Sequence, residues 1–247
     1  MKKILSILVI LVGFVMAQGF GDLISNSDVK HEADDYSATF ELLKQAEELE
    51  ANNFEVIWRL ARVHFDFADN SEDDAVISEN YYSGLDYAKK ALELDDSRAE
   101  SHKWYGILIG KVGELEGSKQ KILNSYEVKD HTLKAIELDP EDDGNYHVMG
   151  RWHYTLADLS WIERKIAGLI YAKPPEASFE EAADYFKKAI SLEPTDVRNH
   201  LWLGNTYVAL DDNEAAKEEY NAALAITAET DSDRKLQKEA EALLSDL

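Results

Sequence analysis

Five alanines set the ground plan of this chain. Ala46, Ala91, Ala135, Ala189 and Ala223 each close a stretch of helical periodicity that runs into an acidic or proline turn. The stretches KKALELDD (89–96), LKAIELDP (133–140) and KKAISLEP (187–194) are near copies of one another. Between successive turns lies a second signature, a small residue inside an aromatic run: WRLAR at Ala61, KWYGI at Gly106, HVMGR at Gly150 and LWLGN at Gly204. Small residues are needed where two helices cross closely, and aromatic residues fill the space between neighbouring pairs. A unit of this kind is a helix-turn-helix repeat of the tetratricopeptide type. The chain is therefore expected to be an all-α solenoid whose stacked pairs present a curved binding surface.

The spacing is irregular. The alanines lie 45, 44, 54 and 34 residues apart, and only the last interval has the tetratricopeptide period. The extra residues fall within the units, which predicts lengthened and inserted helices. One insertion is readable: residues 160–171 carry Ile162, Ile166, Leu169 and Ile170 on one helical face before Lys173-Pro174-Pro175 stops the helix. Ser178 and Glu181 then have the spacing of a capping box for the next helix. Residues 231–247 read as a polar capping helix, which a solenoid end requires.

The N-terminus reads as an export signal. Lys2 and Lys3 precede an apolar run from Ile4 to Ala17, and Val15-Met16-Ala17 resembles a cleavage site. The division is thus a signal peptide at 1–17, a flexible tether at 18–35 and a repeat domain at 36–247. The expected destination is the periplasm or the exterior, with an uncleaved membrane anchor as the alternative. The run is shorter than the roughly 20 residues of a spanning helix. The chain contains no cysteine, so disulfides, thiolate metal sites and thiol catalysis are excluded. A net charge of −23 excludes nucleic acid as a partner, because phosphate binding needs a basic face.

No phosphate loop, G-x-S-x-G or HExxH motif is present, and neither an enzyme nor a cofactor is expected. Asp139, Glu141, Asp143 and Gly144 imitate a calcium loop. Gly150 stands where that loop needs its bidentate glutamate, so no metal is expected.

Residues 150–194 (GRWHYTLADLSWIERKIAGLIYAKPPEASFEEAADYFKKAISLEP), 57–69 (IWRLARVHFDFAD) and 102–140 resemble the regulator of microtubule dynamics family. The resemblance covers about 54–210. It is specific because SWIERKIA and KPP sit in the insertion. It implies a tetratricopeptide-like helical domain without enzymatic activity. The family's eukaryotic members are associated with microtubules, and some with membranes and lipid binding.

Helical periodicity also places a groove. The inward face of each first helix should hold the residues three before, one after and four after the small residue. These are Trp58, Arg62 and Phe65; Lys103, Ile107 and Gly110; His147, Arg151 and Tyr154; and Leu201, Asn205 and Val208. The set holds cations and aromatics but no carboxylate. It suits an amphipathic, anionic, lipid-like small molecule, since an arginine offers a planar fork to a phosphate or carboxylate. A partner protein or peptide is the alternative occupant. In the competing reading, the aromatics are packing residues and the arginines pair with acids such as Glu55 and Glu100. Trp161, Arg164 and Lys165 on the inserted helix are candidates for the groove rim.

Overall fold

The computed structural model describes residues 19–247, and the expected export signal lies outside them. Twelve helices and no strand are present among the described residues. They are α1 (Phe20–Glu32), α2 (Tyr36–Leu49), α3 (Phe54–Asp69), α4 (Asp74–Leu94), α5 (Ala99–Leu115) and α6 (Ser118–Leu138). There follow α7 (Asp143–Ala157), α8 (Trp161–Ile170), α9 (Phe179–Leu192), α10 (Val197–Ala209), α11 (Asn213–Ala225) and α12 (Asp231–Ser245). Antiparallel pairs α1/α2, α3/α4, α5/α6, α7/α9 and α10/α11 stack in order, with α12 over the last pair. The irregular intervals now have causes. Helices α4 and α6 are 21 residues long against 13 for α11, and α8 with its following strap separates α7 from α9.

Acidic residues start helices both between units and within them. Asp73, Asp142, Asp196 and Asp212 each accept a backbone N–H of the helix that follows. A carboxylate there satisfies an orphan donor and meets the positive end of the helix dipole. Part of the high acid content is therefore structural. Ser178 accepts from the Glu181 N–H as expected, but the Glu181 carboxylate turns to the Ser178 hydroxyl, so the box is half formed. Full capping boxes open α8 (Ser160, Glu163) and α12 (Thr230, Asp233).

The five marker alanines are fully buried. The small residues of the first helices lie where expected. A Cβ on Gly150 would lie 2.6 Å from the Phe186 ring, and one on Gly204 would lie 2.4 Å from Tyr220. The aromatic ring of the second helix thus occupies the space that the missing side chain leaves.

The expected tether at 18–35 is corrected. Residues 20–32 form α1, which buries Leu23 and Ser27 against α2. Its low apolar content conceals it in sequence, and an ionic contact with α3 adds to the packing of Phe20, Leu23 and Ile24. Asp28 accepts from Arg59 at 2.8 Å through both oxygens and from Arg62 at 3.1 Å. Such a contact lies more than thirty residues away along the chain and leaves no local pattern.

Candidate functional site

The inward faces of α3, α5 and α7 enclose a groove of about 580 Å³ that reaches α10 at one side. His31 of α1 and Leu236 of α12 also line it. The two ends of the solenoid meet beside it, where the Ser232 N–H donates to Asp34 at 3.0 Å across 198 residues. The groove is thus a cup closed by the first and last helices.

Seven predicted residues line it: Trp58, Arg62, Phe65, Lys103, Ile107, His147 and Arg151. Gly110 does so too. Three do not. Tyr154 packs edge-on against Phe179 and Trp202. Leu201 is buried in a cluster with Leu236 and Leu243 of α12, and Asn205 accepts from the Tyr220 hydroxyl at 2.7 Å. For Leu201 the cause is α12, which packs on α10, whereas Tyr154 and Asn205 are taken up by side chains of α9, α10 and α11. Trp161, Arg164 and Lys165 do not line the groove either. The Arg164 guanidinium donates to the carbonyls of Leu156 and Leu159 at the end of α7, and Lys165 lies over Trp161.

Carboxylates also line the groove, from positions outside the predicted set. Asp66 and Asp69 on α3, and Lys111 and Glu114 on α5, stand one turn further along the same faces and line the groove. Positions five and eight after the small residue continue the stripe. Extending the periodicity by one turn would have found them. Trp104, Trp152 and Trp202 complete the apolar wall.

Two of the three predicted groove cations have internal counter-ions, though neither Glu55 nor Glu100 supplies them. Arg62 meets Asp28, and burial holds its guanidinium below the usual arginine range. Lys103 meets Asp142 at 2.8 Å. Glu55 instead takes Arg59 and Arg98. Arg151 differs. It has no ion pair among the described residues, and its Nε is buried without a partner. Its guanidinium lies 3.6 Å from the centre of the Trp202 ring. Burial holds its pKa below the usual range, with Glu114, Asp69 and Glu239 as the nearest opposing influences. A desolvated cation with a free donor is a seat for an anionic group.

His147 lies beside it. Asn199 donates to Asp143 at 2.9 Å, which fixes its carbonyl oxygen toward His147 at 2.8 Å. His147 therefore carries its proton on Nδ1 and leaves Nε2 as an acceptor. Burial, with Arg198 and Arg151 adding to it, pushes its pKa down to about 3. The folded state thus binds fewer protons than the unfolded state below pH ~6.5. The stabilisation is complete above that pH and falls as pH drops toward the folded value. Thermal melts between pH 7.5 and 5 should show a loss of roughly 1 kcal/mol per pH unit below 6.5. His147→Gln should reduce this slope but not abolish it, because burial also lowers His64, His131 and His153. An unchanged slope would show that His147 does not contribute.

The sequence profile of regulator of microtubule dynamics protein 1-3 matches residues 23–247. The chain belongs to the regulator of microtubule dynamics family. The match takes in α1 and α12, beyond the 54–210 expected from the sequence. Regulator of microtubule dynamics protein 1 of Mus musculus is 40% identical over 230 residues, 92% of this chain and 74% of that protein. Regulator of microtubule dynamics protein 3 of Rattus norvegicus is 31% identical over 224 residues, 90% of this chain and 48% of that protein. The chain thus spans about half the length of the rat relative. Among solved structures, the tetratricopeptide protein TTC0263 of Thermus thermophilus superposes with a TM-score of 0.71 at 13% identity. That superposition covers 92% of this chain and all of the other, and it shows the fold. This family member is a tetratricopeptide-like stack in which α8 is an addition to the repeat pattern.

Proposed function

We propose that the chain is a non-enzymatic protein-binding module whose cup takes an extended segment of a partner, with a carboxylate seated on Arg151. The observation that carries this reading is the contrast among the groove cations. Arg62 and Lys103 each have a carboxylate counter-ion, whereas Arg151 has none among the described residues and lies on the face of Trp202; the Nε of Arg62 and that of Arg151 are both buried without a partner. Apolar side chains of the segment would rest on Phe65, Trp104 and Ile107. Stacked helical repeats characteristically use their concave face in this way. The charge of −23 favours a segment that is basic or neutral away from its carboxylate. A microtubule-associated protein is one source of such a segment.

A second reading is kept because the same contrast fits it. An anionic molecule with an acyl tail would place its head on Arg151 and its tail along Trp152 and Leu156. Mass spectrometry of what acid and organic solvent release from the natively purified chain separates the two. Bound peptides support the first and acyl anions the second. An empty extract, with no thermal stabilisation by carboxylate-bearing peptides or fatty acids, argues against both.

A further inference from the structure

We propose that α8 is a peripheral membrane-docking element that seats the chain on an anionic bilayer surface. This site is separate from the cup. Helix α8 is held to the domain along one side only. Ala167 is buried there, and Arg164 on the same side donates to the carbonyls of Leu156 and Leu159. A capping box fixes its start, and the Lys173-Pro174-Pro175 strap ends it, with the Tyr126 hydroxyl donating to the Lys173 carbonyl. The opposite face points to solvent. Trp161 is 67% exposed, Ile162 61%, Ile166 47%, Leu169 87% and Ile170 64%. These positions fall on one contiguous face at helical spacing. A patch of five large apolar side chains on one helix marks an interaction surface.

Charge and side-chain type choose the occupant. Acids outnumber cations 49 to 26 in the chain. Around α8 the balance reverses. Lys165 lies over Trp161 at 3.9 Å, Lys119 at the start of α6 lies over Tyr171 at 5.9 Å, and Lys121 faces Glu163. Glu163 is engaged in the capping box and Glu176 pairs with Lys173, which leaves Asp158 at the end of α7 as the exposed acid beside α8. Aliphatic residues flanked by tryptophan, tyrosine and snorkelling lysines match the boundary between acyl chains and headgroups. Ten residues span about 15 Å, half the hydrocarbon thickness, so α8 would lie in the interface plane. No described helix is long and apolar enough to cross a membrane.

The test uses the full chain with vesicles of phosphatidylserine and phosphatidylcholine carrying brominated acyl chains, against phosphatidylcholine alone. Bromine quenches tryptophan at shallow depth. The other four tryptophans, at 58, 104, 152 and 202, belong to the repeat helices. Quenching is expected with the anionic vesicles and should disappear in Trp161→Phe. Ile162→Glu combined with Leu169→Glu should weaken vesicle partitioning at least about tenfold while leaving the thermal melt in place. Sedimentation of the chain with vesicles without quenching of Trp161 would assign the attachment to another segment and overturn the proposal. Equal partitioning of the double variant would also overturn it. A dimer in sedimentation velocity that the double variant abolishes, without Trp161 quenching, would give the face to a second copy instead.

Discussion

Gly150→Leu should be among the most damaging single substitutions in the domain. The space that a Cβ would need is filled by three atoms of the Phe186 ring at 2.6, 2.7 and 2.8 Å. Phe186 is fully buried in the cluster that joins α7, α9 and α10, so it has no free volume into which to turn. Over-packing a well-filled site costs about 1–3 kcal/mol, and contact this close to the backbone places the cost at about 3 kcal/mol or more. For a domain of this size the melting temperature should fall by roughly 6–12 °C. Phe186→Leu in the same chain should recover part of the loss, because the smaller side chain vacates the crossing. A melt that does not move would show that α7 and α9 do not cross at Gly150.

Asp28→Ala should follow closely. The carboxylate of Asp28 serves Arg59 and Arg62 together and is held below the usual carboxylate range, with the two guanidinium groups outweighing the opposing effect of burial. Its removal leaves two largely buried cations with one counter-ion fewer and frees α1 from α3. Breaking a buried pair costs about 3–5 kcal/mol, and partial exposure of Asp28 reduces this to about 2–3 kcal/mol. Hydrogen exchange should then quicken across residues 20–32 before the rest of the domain. Unchanged protection of α1 would mean that the apolar packing of Phe20, Leu23 and Ile24 and the His31–Asp66 contact hold it without Asp28.

The helices were legible because their signals are local. Periodic apolar faces, acidic caps and the Pro174-Pro175 stop all act within a few residues. The groove was legible through its first three units for the same reason, since Trp58, Arg62, Lys103 and Arg151 follow from counting along one helix. What escaped depends on distant chain. Asp28 and Asp142, which neutralise Arg62 and Lys103, lie 34 and 39 residues from their partners. The loss of Leu201 and Asn205 from the groove follows from packing in the last unit and from α12. Helix α1 has too few apolar residues to announce itself and is placed by packing on α2 together with the reach of Arg59 and Arg62 to Asp28. The distinction between Arg151 and the other two cations therefore became visible only in three dimensions.

That distinction can be measured directly. Thermal shift of the full chain with matched free-acid and amidated apolar peptides, for wild type and Arg151→Met, compares the seat with and without its cation. A bound carboxylate on a buried guanidinium contributes about 1.5–3 kcal/mol, roughly ten- to a hundredfold in affinity. The wild type should bind the free acids more tightly than the amides by that factor. Arg151→Met should keep its ligand-free melting point and lose the preference. Equal preference in both proteins, or a collapse of the ligand-free Arg151→Met fold, would show that Arg151 is a structural residue and contradict a carboxylate seat in the cup.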